Sequence, residues 1–91
     1  MNLRFVQTCS GCPEQYDVYD DNNNQVAYVR LRWGYLRVDC PDCGCTTVFG
    51  HEFSDGLKGC FNNEQEQSKY IKRIANAIIE YYEDLKEDEQ I

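Results

Sequence analysis

Gln25-Val-Ala-Tyr-Val-Arg-Leu-Arg-Trp-Gly-Tyr-Leu-Arg-Val-Asp39 is the stretch that decides the fold. Ala27, Val29 and Leu31 alternate with Tyr28, Arg30 and Arg32, the period of a strand that buries one face. Trp33-Gly34 is the only breaker, and a two-residue connection there turns the run back on itself as a hairpin. That register sets Leu31 against Leu36 and Val29 against Val38 on the apolar face. It also sets Arg30 against Arg37 on the opposite face. Both sets of pairs agree with one pleat, so the register is self-consistent.

Shorter strands flank this hairpin. Leu3 to Thr8 carries Leu3, Phe5 and Val6, and Gln15 to Tyr19 alternates Tyr16 and Val18 with Gln15 and Asp17. Asp20-Asp-Asn-Asn-Asn24 is dense in turn formers. Thr46 to Phe49 reads as a further strand and Gly50 to Gly59 as loop. The period then changes: Tyr70, Ile71, Ile74, Ala75, Ile78, Tyr82 and Leu85 recur at steps of one, three and four, the stripe of an amphipathic helix of about six turns. Asn63 is its N-cap, Glu66 the capping-box partner, and Glu64 an acid suited to the positive helix end.

The expected fold class is α+β: antiparallel β-hairpins with cysteine knuckles, followed by one long C-terminal amphipathic helix packed on the sheet. It forms a single domain over 1–91, with a β-rich, cysteine-bearing part at 1–61, the helix at 62–88 and a frayed tail at 89–91. The expected core is Leu3, Phe5, Val29, Leu31, Leu36, Val38, Ile71, Ile74, Ile78 and Leu85.

The chain has 91 residues, with 16 acids against 9 bases and a formal charge of −7, which argues against general nucleic-acid binding through phosphates. No apolar run approaches the roughly 20 residues of a membrane span. Met1 to Cys9 lacks the pattern of a secretory signal, so the expected location is the cytoplasm of a bacterial or phage-infected cell. No catalytic signature stands out, and the expectation is a non-enzymatic protein.

Six cysteines are the unusual feature of the composition. Without a secretory signal, clustered cysteines point to metal before disulfides. Cys9-x-x-Cys12 and Cys40-x-x-Cys43 are separated by 27 residues, and each pair lies between candidate strands. Four thiolates about 2.3 Å from one zinc ion make a closed, structural site. In this respect the chain resembles the zinc-ribbon class, in which two knuckle-bearing hairpins clamp one zinc, over roughly Leu3 to Phe49. Cys45, Cys60 and His51 are alternative ligands. Two further readings stay open: buried free thiols, and a redox disulfide such as Cys9 to Cys12. His51 reads otherwise as a surface residue, with no orienting group to make it catalytic.

Two charged surfaces suggest partners. Arg30, Arg32 and Arg37 share a face with Tyr28 and Tyr35, which suits a small anion or single-stranded nucleic acid; neutralisation by the chain's own acids is the plainer reading. Glu80, Glu83, Asp84 and Glu87 near the helix end suit either solubility or a protein partner with a basic groove. Cys12-Pro-Glu-Gln-Tyr-Asp-Val-Tyr and Tyr28-Val-Arg-Leu-Arg-Trp-Gly are similar to stretches of small uncharacterised phage and mobile-element proteins. The resemblance brings no activity or site with it; the spaced carboxylates of the helix are what suggest a phage or mobile-element inhibitor of a host nucleic-acid enzyme, anti-CRISPR-like, acting through the acidic surface. The alternative function is a zinc-ribbon nucleic-acid binder using the arginines, and the third a thiol redox protein.

Overall fold

A computed structural model describes residues 1–9 and 12–89, with side chains described as far as residue 86. Five strands and one helix follow in order: β1 Arg4–Gln7, β2 Glu14–Tyr19, β3 Gln25–Arg32, β4 Tyr35–Cys40, β5 Thr46–Glu52 and α1 Glu64–Glu89. The strands form one antiparallel sheet in chain order, β1-β2-β3-β4-β5. The fold is α+β, a five-stranded meander with a C-terminal helix.

The decisive hairpin has the register its apolar alternation requires: Leu31 pairs with Leu36, Val29 with Val38, and Arg30 with Arg37. Trp33 and Gly34 both take positive φ, 54° and 72°, the backbone of a turn whose twist matches two-residue hairpins. Glycine at 34 has a second reason. A Cβ there would press on the backbone of Asp55 and Gly56, because the 53–58 loop closes over the turn. Two hydrogen bonds fix that closure, Gly34 N to Lys58 O (2.8 Å) and Phe53 N to Gly34 O (2.7 Å).

One sheet face is covered by the helix. Tyr16, Val18, Ala27, Val29, Leu31, Leu36, Val38 and Cys40 are buried there with Tyr70, Ile74 and Ile78 of α1. Ile74 and Ile78 are fully enclosed, and each contributes about 2 kcal/mol through the apolar surface it removes from water. Leu3, Phe5 and Ile71 pack at the margin of this core. Leu85 does not: it is exposed, because the buried stripe ends at Ile78 and the last partly buried residue is Tyr82. β5 also runs on to Glu52, through residues expected in a loop, since His51 continues the ladder opposite Leu36.

The helix start is built as its sequence suggests. Asn63 Oδ1 accepts from Glu66 N at 2.8 Å, the N-cap bond. Glu66 reaches one residue further back than a capping box, accepting from Asn62 N at 2.9 Å, and pairs with Lys58 Nζ at 2.9 Å. The Asn62 amide, aided by Lys58, holds the Glu66 carboxyl below its usual range. A buried carboxylate ties this end to the sheet. Glu14 accepts from Tyr16 Oη, from Phe61 N (3.1 Å) and from Gln67 Nε2 (3.1 Å), so β2, the preceding loop and α1 meet at one group. Burial, reinforced by Glu14, pushes the Tyr16 hydroxyl up to about 12.

Candidate functional site

The uncovered sheet face carries the arginines. Arg30 and Arg37 stand directly across β3 and β4, and Arg32 pairs with Tyr35 one step along the same face. Like charges opposed on neighbouring strands are unfavourable, by a few tenths of a kcal/mol or more. Among the described residues Arg30 and Arg32 have no ion-pair partner; Arg37 alone does, with its Nε 3.3 Å from Asp39 Oδ2. That contact is near enough for charge attraction but is not aligned as a hydrogen bond, and the buried Nε donates none. Among the described residues Asp39 is thus the one acid in direct ion-pair contact with these arginines.

Aromatic rings frame the arginines. Trp33 is 66% exposed at the hairpin tip, with the Arg32 guanidinium 5.8 Å from its ring centre, and Tyr35 is 44% exposed. Arg30, Arg32, Trp33, Tyr35 and Arg37 enclose a pocket of about 70 Å³. Tyr35 lies across Gly50, where a Cβ would collide with its hydroxyl. Arg32 and Trp33 also border a wider groove of about 400 Å³, completed by Cys12, Pro13, Leu57 and Gly59. Leu57 is 79% exposed there, so a guanidinium-rich pocket adjoins an apolar shelf. Tyr28 is half-buried in the same sheet face, and burial raises its hydroxyl pKa.

The cysteines do not assemble as the zinc-ribbon reading requires. Cys12 is joined to Cys60 in a disulfide, so neither is a thiolate ligand in this structure. Cys9, Cys40, Cys43 and Cys45 are free thiols. Topology separates the proposed ligands further. Cys12 lies two residues before Glu14, whose row across the sheet is Glu14, Leu31, Leu36 and His51, whereas Cys40 lies four residues beyond Leu36 in the same direction of travel. Six strand steps at about 3.3 Å place them about 20 Å apart along the sheet, against the roughly 2.3 Å reach of a zinc–sulfur bond. Cys9, Cys12, Cys40 and Cys43 thus do not fit a single ion in this fold. Among the described residues no three His, Cys, Asp or Glu side chains gather as a metal site.

Each remaining candidate ligand has another setting. Burial pushes the Cys40 thiol up to about 11, which keeps it protonated at neutral pH. Cys43 and Cys45 are exposed in the β4–β5 turn, and Cys43 Sγ lies 3.9 Å from Arg37 Nη2. That turn is fastened by Asp39, only 1% exposed, which accepts from Gly44 N (3.0 Å) and Thr47 Oγ1 (2.7 Å). His51 is half-buried under the helix, 3.3 Å from Tyr70 Oη and edge-on to Phe53.

The acidic helix end is a separate surface. Glu80, Glu83 and Asp84 are exposed and have no ion-pair partner among the described residues. Glu80 and Asp84, with Tyr81, Ala77, Thr46, Thr47 and Val48, line an open groove of about 330 Å³ between α1 and β5. Glu87 belongs to α1, but its side chain lies outside the described residues.

Sequence reasoning reached the arginine face through the hairpin register. It did not reach Trp33, Leu57 or the Cys12–Cys60 bond, since residues distant in the chain meet there only once the 53–60 loop has closed. No protein-family model matches the chain, and no curated protein or solved structure matches it.

Proposed function

We propose that this chain is a non-enzymatic protein-interaction module whose working surface is the arginine face, and that its partner presents an acidic segment. The carrying observation is the opposed Arg30–Arg37 pair, with Arg32 alongside and Asp39 the only carboxylate ion-paired to these three among the described residues. Three properties support a protein partner. Trp, Tyr and Arg are the residue types that dominate binding energy at interfaces. The adjoining shelf of Leu57, Trp33 and Pro13 offers apolar area beside the charges. The charge of −7 opposes a polyanion with no other means of recognition.

Trp33 is the only tryptophan, so its emission reports on this face directly. Titration with a peptide of alternating Glu and Leu should shift that emission saturably and more weakly as salt rises, because exposed charges are screened. Arg30→Glu with Arg32→Glu should abolish the response in a protein of unchanged circular dichroism. No response to acidic peptides, together with tight binding of oligothymidine lost in the same variant, would make this a nucleic-acid surface instead.

A second reading uses the other end of the molecule. The exposed Glu80, Glu83 and Asp84 suit a basic groove, as an inhibitor of a host nucleic-acid enzyme would need. Reversing those three to Lys should weaken such a complex and leave peptide binding at the arginine face unchanged. Neither reading calls on a structural zinc.

A further inference from the structure

The charge count within the arginine pocket is more specific than an acidic partner requires. Three guanidiniums line the pocket, and among the described residues Asp39 is the one carboxylate ion-paired to them, which leaves two of the three positive charges without an ion-pair partner there. Glu52 and Asp17 share the sheet face, one across from Tyr35 and the other across from Tyr28, but neither forms an ion pair with these arginines. A carboxylate side chain returns a single charge to such a pocket. A phosphomonoester returns about 1.5 to 2 at neutral pH, with three strong acceptor oxygens.

Size and donor geometry agree with that count. About 70 Å³ is room enough for a tetrahedral oxyanion. Guanidiniums offer planar forks of donors that match phosphate oxygens. Among the described residues Arg30 and Arg32 form no ion pair, so guanidinium donors at the pocket remain to be satisfied. Trp33 and Tyr35 wall the pocket beside them. A phosphodiester within a nucleic-acid strand carries one charge, so the count favours the monoester.

We infer that the pocket between Arg30, Arg32 and Arg37 seats a phosphomonoester dianion carried by a protein partner, an inference that rests on the reading of this face as a protein-binding surface. The apolar groove beyond Arg32 and Trp33 then receives the residues next to the phosphorylated position.

Three peptides of one sequence, bearing phosphoserine, Glu or Ser centrally and Leu at the flanks, test this by Trp33 emission. Inorganic phosphate serves as a fourth probe, read by the NMR signals of the arginine Nε–H groups. The phosphoserine peptide should bind at least about tenfold more tightly than the Glu peptide. Arg30→Gln should remove that preference, bringing the affinities of the phosphoserine and Glu peptides within about threefold of each other. Arg30→Lys, which keeps the charge but not the fork, should retain only part of it. Inorganic phosphate should shift the Arg30 and Arg37 signals saturably, more at pH 8 than at pH 5.5 as the dianion gives way to the monoanion. Equal affinity of the phosphoserine and Glu peptides would overturn the seat and leave the interaction surface standing. Saturable inorganic phosphate with no peptide binding would keep the seat and sink the protein-binding surface. Oligothymidine bound more tightly than the phosphoserine peptide would overturn the inference in favour of nucleic acid.

Discussion

The β1–β2 and β4–β5 connections share a Cys-x-x-Cys spelling, yet they are secured by different physics. In the first, Cys12 is bonded across a separation of 48 residues to Cys60, with Glu14 N donating to Gly59 O at 2.7 Å beside it. In the second, cysteines make no covalent link; Asp39 holds the turn through Gly44 N, Thr47 Oγ1 and the nearby Arg37. One turn is closed by a distant part of the chain, the other by its own neighbour.

The largest effect expected from this contrast is on the disulfide. Constraining a loop of this separation removes unfolded-state entropy worth about 4 kcal/mol, so Cys60→Ser should lower unfolding stability by up to that amount in denaturant titrations. Reduction of the native protein should match it. Cys43→Ser should cost under about 0.5 kcal/mol, as expected of an exposed side chain. Comparable losses from both variants would erase the distinction between the turns.

Next in size is Asp39→Ala. It leaves Gly44 N and Thr47 Oγ1 without their acceptor, at a cost of about 2 kcal/mol. Hydrogen exchange should quicken around residues 40–47 while the Cys12 corner stays protected. Uniform loss of protection across the sheet would mean that the two turns are not independent.

Zinc content sharpens the comparison further. Protein purified without chelator should carry well under one zinc per chain, and added chelator should leave its melting temperature unchanged. One tightly held ion per chain, with unfolding on chelation, would show that the cysteines assemble differently.

A further effect is with pH. Burial raises Tyr16 to about 12 and Cys40 to about 11, above their ordinary values of 10.0 and 9.0. A group raised on folding stabilises fully below its unfolded pKa and loses that contribution as pH climbs through its folded one. Stability should accordingly hold to about pH 9 and decline between there and pH 12, and Cys40→Ala should flatten the early part of that decline. An unchanged curve in that variant would remove Cys40 from the account.

Much of the architecture was legible because alternation and helical period report burial directly. Val29, Leu31, Leu36 and Val38 declared their face, and Ile74 and Ile78 the helix stripe that covers it. Leu85 kept the helical period yet lies beyond the sheet's reach, which a pattern cannot measure. The two cysteine pairs stand at opposite ends of the sheet for a reason of parity. A meander reverses direction at every turn, so three intervening strands, β2, β3 and β4, carry the second cysteine pair to the opposite end. Two strands would have returned it to the first. That count was available in the sequence, whereas the partnership of Cys12 with Cys60 was not, since it depends on the closure of the 53–60 loop over Trp33-Gly34.

Gly50 gives the arginine face a purely steric control. The ring of Tyr35 rests in the notch left by the missing side chain, so a single methyl group there would swing the ring aside without altering any charge. Gly50→Ala thus keeps the electrostatic attraction that brings a ligand near and removes the lid that shapes where it comes to rest. A ligand held by charge alone would tolerate the change, whereas one gripped by fit would dissociate faster at the same rate of arrival.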